Sequence, residues 1–250
     1  ATSTVTVDFP GMEKAMKVSG YYFDYHSLDM LQGQTDTFDD VVHFGYRLLG
    51  DGSIAEKDYF LLDKFQTEGK AYADASGIRT LMLVTGFDKA ICDQVLSSPD
   101  LRAAAVQNIV RLVKEKGHSG VDLDFESVSV ACRDAYPAFV RELKAALGTA
   151  YPVSISVPCR NNDSQTWKDG YDYAALAEAA DQLLVMFYDQ HYGGGEAGPI
   201  AGADWMEESI LYLLQYIPKD KFHAGLGGYG RDWVVGGSGS AVYIDNAFAL

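Results

Sequence analysis

The chain has 250 residues, a formal net charge of −15, and a composition that is 48% hydrophobic and 12% aromatic. This length is typical of one α/β barrel, and the apolar share is enough to build a large core. The negative charge argues against nucleic acid or an anionic membrane surface as a partner. No apolar run is long enough to predict insertion into a membrane.

The cysteines are few and widely spaced. Cys92, Cys132 and Cys159 form no C-x-x-C pair and have no paired histidines near them in the sequence. This spacing predicts no metal site and at most one disulfide, and it leaves the disulfide state open. No cofactor is expected.

Apolar runs and helical segments alternate along the chain from Lys17 onward. The apolar runs predict seven strands: Val18–Phe23, Val41–Tyr46, Thr80–Val84, Val121–Glu126, Pro152–Pro158, Gln182–Tyr188 and Phe222–Gly227. Helical spacing predicts helices over Tyr59–Asp74, from Ser98 to Gly117, and over Arg133–Leu147, Tyr173–Ala180 and Met206–Tyr216. The segment Thr2–Asp8 alternates like a short strand, and the last residues before Leu250 resemble the start of a helix.

Alternation of strands and helices indicates a parallel sheet that is buried on both faces. A doubly wound sheet that binds dinucleotides would have a glycine-rich fingerprint after an early strand, and this chain has none. We therefore predict a (β/α)8 TIM barrel of which only seven strands can be identified. The eighth strand is expected to be missing.

The fourth predicted strand carries three acids at alternate positions, in the sequence S-G-V-D-L-D-F-E from Ser119 to Glu126. A strand turns alternate side chains to one face, so Asp122, Asp124 and Glu126 would be neighbours about 6–7 Å apart. We call these three residues the acid row. Like charges at this spacing, together with partial burial, raise the pKa of a carboxyl group, which is typical of a proton-transfer site. A solvated edge strand is the alternative, but acids are poor strand formers.

Several motifs resemble those of family-18 glycoside hydrolases. The stretch from Ser119 to Glu126, which contains the acid row, resembles the family signature D-x-x-D-x-D-x-E. The sequence M-F-Y-D at residues 186–189 resembles its M-x-Y-D, and G-L-G-G-Y-G-R-D-W at residues 225–233 resembles its G-x-P-x-Y-G-x-x-W. Gly20-Tyr21-Tyr22 fits its first strand. The helix after the acid row, with D-Q-H and G-P-I after Tyr188, is most similar to the bacterial spore-germination and cortex-lytic branch.

The resemblance implies substrate-assisted, retaining hydrolysis of a bond after an N-acetylhexosamine, an exception to the two-carboxylate scheme. Glu126 would be the general acid and then the base. Asp124 would hold the acetamido N–H of the substrate, and Asp122 would share a proton along the row. Tyr188 would donate to the acetamido carbonyl, and Asp189 would line the floor of the sugar site.

Further substrate-binding residues are expected from the same motifs and loops: Tyr21, Met186, Asn161, Tyr229 and Trp233. Trp167, Tyr192 and Trp205 follow the fifth and sixth predicted strands, and at least one of them is expected to stack on a sugar. His43 lies on an apolar strand and is expected to be a satisfied core histidine.

The resemblance also implies a domain plan, a partner and a location. Residues 1–16 would be an N-terminal extension, and residues 17–250 one catalytic barrel domain truncated at its C-terminus. The partner would be a polysaccharide or glycan that contains N-acetylglucosamine, and the protein would be secreted or associated with the cell wall. The oligomeric state stays open.

Four departures from the family pattern leave the substrate open. Ser119 replaces the first acid of the signature, Val84-Thr85-Gly86-Phe87 replaces S-x-G-G, Gly227 stands where proline is frequent, and no eighth-strand tryptophan is present. Bacterial cell-wall peptidoglycan is the expected substrate. Chitin and the N-glycan core are alternatives, and a carbohydrate-binding protein of low activity is an alternative of another class.

Overall fold

A computed structural model of the chain describes residues 16–23, 27–56, 64–234 and 242–245. The predicted strand Thr2–Asp8, the first part of the predicted helix Tyr59–Asp74 and the predicted helix before Leu250 lie outside these residues. The expected division into residues 1–16 and 17–250 stays a prediction.

The described chain alternates strands and helices. The strands are β1 (Ser19–Tyr22), β2 (Asp40–Leu48), β3 (Ile54–Glu56), β4 (Arg79–Gly86), β5 (Gly120–Phe125), β6 (Val153–Pro158), β7 (Gln182–Phe187), β8 (Phe222–Leu226), β9 (Tyr229–Asp232) and β10 (Val242–Asp245). The α-helices are α1 (Ser27–Gly33), α2 (Lys70–Ala75), α3 (Lys89–Ser97), α4 (Pro99–Glu115), α5 (Ala135–Leu147), α6 (Tyr173–Ala179) and α7 (Ala203–Leu213). A π-helix, Phe65–Gly69, leads directly into α2.

Seven strands form one curled parallel sheet in the order β1-β2-β4-β5-β6-β7-β8. The short β3 pairs antiparallel with β2, and β9 pairs antiparallel with β10 in a separate ribbon. In the described part of the chain, no eighth parallel strand joins β8 to β1. The prediction of an incomplete barrel with seven identifiable strands is therefore confirmed, and the predicted fourth strand is β5.

Four elements were not predicted: α1, α3, β3 and the β9–β10 ribbon. Helix α3 is the clearest case, because the side chain of Asp88 caps its first turn by accepting from the N–H groups of Ala90 (2.8 Å) and Ile91 (3.2 Å). It ends at Ser97, and Ser98 then caps α4 with its own hydroxyl.

The two faces of the sheet differ in chemistry. Outward residues of β5, namely Val121, Leu123 and Phe125, belong to the large core beneath the helices. Inward residues such as Leu83 and Val42 form a smaller apolar cluster on the concave side, next to the inward polar groups. Because both faces of the sheet are covered, most strands have continuous apolar sequences.

The three cysteines are free and buried in the structure. Burial raises the pKa of the Cys92 thiol to about 12, and burial also raises the pKa of Cys132 and of Cys159. The open question of the disulfide state is thus answered in favour of three thiols, which act as small apolar core groups.

A buried cluster of rings lies between the sheet and the π-helix. His43 is fully buried, as expected, and stacks on Phe65 at a centroid distance of 3.8 Å. Its ring occupies the space that a side chain at Gly45 would need, since a Cβ atom there would lie 2.6 Å from it. His118 is also buried, with its Nε2 3.3 Å from the Tyr46 hydroxyl. Burial lowers the pKa of His118 to about 3.

We predict that His118 makes the fold sensitive to acid. Its pKa falls from 6.5 in the unfolded chain to about 3 in the folded one, so the folded state favours the neutral ring. The free energy of unfolding therefore has its full value above pH 6.5 and decreases as the pH falls toward 3, by at most about 1.4 kcal/mol per pH unit. Urea unfolding across this range should show a shallower pH dependence in His118→Gln than in the wild type.

The matched control is His191→Gln, because His191 lies in a loop and bonds only a backbone carbonyl among the described residues. This control should keep the wild-type pH dependence. Equal slopes in wild type and His118→Gln would show that His118 does not carry the effect.

Candidate active site

The acid row lies along β5 and its carboxyl end. The pleat of the strand turns Asp122 and Asp124 into the concave interior, where they are 1% and 6% exposed. Glu126 follows the strand at the mouth and is exposed, and its N–H donates to the carbonyl of Gly86 at 3.1 Å. The row therefore runs from the buried interior to the mouth of the sheet. The shared inward direction of Asp122 and Asp124 agrees with the period-two pattern.

Asp122 is surrounded by hydroxyl groups. The Ser156 hydroxyl donates to its Oδ1 at 3.0 Å, and the side chain of Ser154 also hydrogen-bonds to it. Burial raises the pKa of Asp122, while these two hydroxyls act in the opposite direction. The two serines were missed by sequence reasoning. The signal was present, because S-I-S in the predicted strand Pro152–Pro158 puts both hydroxyls on one face.

Asp124 lies between two inward hydroxyl residues in the sheet register, Thr85 on β4 and Ser156 on β6. The Thr85 hydroxyl donates to the backbone carbonyl of Tyr46 at 3.1 Å. Thr85 therefore supports the backbone of β2.

Tyr188 follows the carboxyl end of β7, on the same edge of the sheet as Glu126. Burial raises the pKa of Tyr188 far above its usual value, and the charges of Asp124 and Glu126 raise it further. Its hydroxyl consequently keeps its proton and can act as a hydrogen-bond donor beside the acid row.

Glu126 is suited to hold a proton. Partial burial of its carboxyl group raises the pKa of Glu126, and the negative charge of Asp189 raises it further. A carboxyl group with a raised pKa at the mouth of a cleft is what a general acid requires.

Asp189 is held in an unusual position. It is the single non-glycine residue with positive φ (55°) in the described part of the chain. Its carboxylate pairs with Arg231 at 2.8 Å, and the Arg231 guanidinium lies 5.5 Å from the centre of the Tyr229 ring. Tyr229 in turn contacts Tyr188 edge-on at 6.2 Å. Local strain at a site of this kind is a frequent sign of function.

The remaining predicted residues lie at different places on the sheet edge. Met186 is half-buried on β7 and pairs in register with Gly225. Asn161 follows β6, and its side chain donates to Glu208 on α7 at 3.2 Å. Trp233 follows β9 with a buried Nε1 that has no hydrogen-bond partner among the described residues. Their predicted contacts with substrate stay predictions.

The candidate stacking residues differ in exposure. Trp167 is 67% exposed and Tyr192 57% exposed, whereas Trp205 packs edge-on against Phe187 at 6.4 Å and contributes to the core. Phe87 is a further exposed ring that sequence reasoning missed as a site residue. It directly follows Gly86, whose carbonyl binds the N–H of Glu126, and it is 47% exposed.

A curled parallel sheet with an inward acid row at its carboxyl edge and a protonated tyrosine hydroxyl beside it defines a barrel of the glycosidase class. The family profile described as "Glycosyl hydrolases family 18" matches residues 17–246. The chain belongs to this family, and the resemblance drawn from the motifs is confirmed.

Several relatives support the assignment. A Bacillus subtilis protein named as a sporulation-specific glycosylase, YdhD, is 33% identical over 211 residues, which cover 82% of this chain and 50% of that protein. The cortical fragment-lytic enzyme of Bacillus cereus is 26% identical over 201 residues, covering 77% and 45%. The solved structure of a class V chitinase from Pseudomonas fluorescens Pf-5 is 29% identical with a TM-score of 0.84, covering 94% of this chain and 74% of that one. The chain spans about half the length of these two curated relatives.

We predict that Asp189→Asn lowers the pH at which activity is lost on the alkaline side. The negative charge of Asp189 raises the pKa of Glu126, so its removal lowers that pKa, and Glu126 loses its proton at a lower pH. Both carboxylates are partly exposed, so a shift of about half a pH unit is expected at low salt, and less at high salt. The pH profile of kcat/KM measures it.

The control is Asp204→Asn, an exposed acid in the first turn of α7. In this variant the alkaline limb of the pH profile of kcat/KM should lie at the same pH as in the wild type. An alkaline limb that moves upward in Asp189→Asn would contradict the electrostatic role of Asp189.

Proposed function

We propose that the chain hydrolyses β-linked N-acetylglucosamine glycans by a substrate-assisted mechanism with retention of configuration. The observation that carries this proposal is the acid row, with Asp122 and Asp124 buried on β5 and Glu126, whose pKa is raised, directly after it, beside the protonated hydroxyl of Tyr188. Such a site offers a proton, a negative charge and a hydroxyl donor at one edge of the sheet.

The groups of the site divide the steps of the reaction among them. Glu126 protonates the glycosidic oxygen as the bond to the anomeric carbon breaks, and it later removes a proton from the incoming water. The acetamido oxygen of the substrate forms the new bond to the anomeric carbon. Asp124 accepts the acetamido N–H, and Tyr188 donates to the acetamido oxygen, so that the nucleophile is aimed. Asp189 lines the floor of the sugar site, and Met186 and Tyr229 are further substrate-binding residues in this proposal.

The proposed substrate is bacterial cell-wall peptidoglycan. The names of two relatives support this choice, since one is a cortical fragment-lytic enzyme and the other is named as sporulation-specific. Cleavage of a wall polymer requires that the protein is secreted or associated with the cell wall. None of the helices in the described residues is long and apolar enough to cross a membrane.

Chitin is the second candidate substrate. A protein named as a probable endochitinase from Caenorhabditis elegans is 28% identical over 193 residues, covering 63% of this chain and 29% of that protein. The N-glycan core is a third candidate. A binding protein without turnover is disfavoured, because the acid row and Tyr188 are all present and placed at one edge.

We predict that Glu126→Gln abolishes cleavage and leaves the fold and glycan binding intact. The amide keeps the shape of the side chain but supplies no transferable proton, and general acid–base catalysis contributes about 10²- to 10⁴-fold. Release of reducing ends from peptidoglycan, chitin oligomers and an N-glycan measures the activity. Thermal unfolding checks the fold.

The matched control is Glu178→Gln, an exposed glutamate on α6, which should cleave like the wild type. Equal turnover by the wild type and Glu126→Gln would exclude Glu126 as the acid. Binding of the glycan by a wild type that turns over none of the three polymers would favour the binding protein instead.

A further inference from the structure

The loop between β6 and α6 carries the most exposed of the three aromatic residues that were expected to stack on a sugar. Trp167 lies in a short 3-10 turn, Thr166–Lys168, and is 67% exposed. A single exposed aromatic side chain is ordinary on a protein surface. The case for a function therefore depends on how this ring is held and on what lies beside it.

A buried lysine holds the Trp167 ring. Lys168 is 5% exposed, and its Nζ lies over the ring, 4.6 Å from the ring centre. The same Nζ donates to the backbone carbonyl of Cys159. In the part of the chain that the structure describes, Lys168 has no carboxylate partner, although a buried ammonium group is costly without one. The carbonyl and the electron-rich face of the indole ring are therefore the groups that stabilise its charge.

A second buried cation braces the base of this loop. Arg160 is 7% exposed, and its guanidinium donates to the carbonyls of Asn162 at 3.0 Å and of Asp163 at 3.2 Å. The guanidinium also pairs with the carboxylate of Asp169 at 2.9 Å, so that the start of the loop is joined to its end. A ring on a fixed backbone loses little conformational freedom when it binds a ligand. The Trp167 ring is therefore pre-organised for binding.

The same loop is bonded to the backbone on both sides of Glu126. The Tyr171 hydroxyl donates to the carbonyl of Phe125 at 2.7 Å and accepts from the N–H of Val128 at 3.5 Å. Trp167 precedes Tyr171 by four residues, which is at most about 14 Å of extended chain. A short and braced connection therefore joins the exposed ring to the segment that carries the proposed general acid.

We propose that Trp167 is a second binding site for the glycan, where it stacks on a sugar unit other than the one at the acid row, and that Lys168 is its positioning residue. We call these two residues the platform. The face of an aromatic ring is negative, and one face of a pyranose ring carries C–H groups of small positive charge, so the two faces attract each other. A glycan that occupies the acid row and the platform together must have several sugar units. The platform therefore selects long glycans over short ones. The inference rests on the proposed function for the identity of the polymer and on the held ring for its physical basis.

The test measures binding without turnover, with Glu126→Gln as the parent protein. Isothermal titration calorimetry compares a hexamer of β-linked N-acetylglucosamine with the disaccharide of the same linkage. Addition of Trp167→Ala should weaken binding of the hexamer about tenfold, the size expected for one lost stacking contact. Binding of the disaccharide should not change, because the disaccharide fills the site at the acid row alone.

The matched control is Tyr216→Ala. Tyr216 is another exposed aromatic residue, 40% exposed, but it lies between the end of α7 and the start of β8, at the opposite edge of the sheet. This control should bind both oligomers like the parent. An unchanged hexamer affinity in Trp167→Ala, an equal loss for the disaccharide, or no binding of either oligomer by the parent would overturn the platform.

The role of Lys168 is tested in the same parent. Lys168→Met removes the charge and keeps the length of the side chain, so it should weaken binding of the hexamer, whereas Lys168→Arg keeps a cation and should restore most of the affinity. The control is Lys221→Met. Lys221 also donates to backbone carbonyls, those of Ala177 at 2.6 Å and Ala180 at 2.8 Å, but it lies directly before β8 at the other edge of the sheet. Lys221→Met should bind the hexamer like the parent.

A pH series tests Lys168 without a substitution at that position. Burial and the charge of Arg160 lower the pKa of Lys168 to about 8, and Cys159 acts in the opposite direction. The ammonium group is thus present below pH 8 and lost above it, so the hexamer affinity of the parent should fall between pH 7 and about 9, and this fall should be absent in Trp167→Ala. A constant affinity across this range, or an equal loss in Lys221→Met and Lys168→Met, would overturn the role of Lys168. A wild type that binds the hexamer through Trp167 but cleaves no glycan would contradict the proposed function and still support the platform.

Discussion

The alternation of side chains along β5, in a sheet that is covered on both faces, is the constraint on which the site depends. Val121, Leu123 and Phe125 are fixed against the helices by the large core. Because the period of a strand is two, Asp122 and Asp124 must then face inward. A slip of one residue would put the carboxylates under the helices, where they would have no hydroxyl partners. Packing of the outer face therefore determines the position of the acid row.

Burial decreases along the row, and this gradient separates the chemistry of its members. Asp122 is enclosed and depends on Ser154 and Ser156 for its hydrogen bonds. Glu126 lies at the mouth, where burial is partial and Asp189 supplies the nearby charge. The segment from Asp122 to Glu126 thus places its carboxyl groups in different environments, although burial is the main cause of the raised pKa at both Asp122 and Glu126.

The sequence was sufficient to predict the seven parallel strands, the inward direction of the acid row and the nearness of Tyr188. Each of these follows from local periodicity or from the rule that the carboxyl ends of parallel strands share one edge. It was not sufficient for Tyr21 and Ser156, which are 135 positions apart and meet only because the sheet curls. The pairing of Asp189 with Arg231 was missed for the same reason, since it joins β9 to the end of β7.

The departures from the family pattern can be judged by their position. Ser119 lies just before the amino end of β5, with its N–H bonded to the carbonyl of Thr80 at 2.7 Å, so it is seven residues and about 20 Å from Glu126. It lies at the bottom of the sheet and not at the mouth. Ser119 therefore lies away from the acid row. Val84 points outward into the helix-covered core. The second departure adjoins the row, because Thr85 pairs in register with Asp124 and the carbonyl of Gly86 accepts from the N–H of Glu126.

Gly227 is the third departure, and its surroundings explain the residue. A Cβ atom at this position would lie 3.0 Å both from Cβ of Tyr188 and from Cε1 of Tyr229. Any larger residue would push against the two rings that pack beside Asp189. With this backbone, glycine allows Tyr229 to pack against Tyr188, and Tyr229 in turn lies beneath Arg231, the partner of Asp189. The glycine at position 227 is thus matched to the packing of Tyr188 and Tyr229 at the mouth.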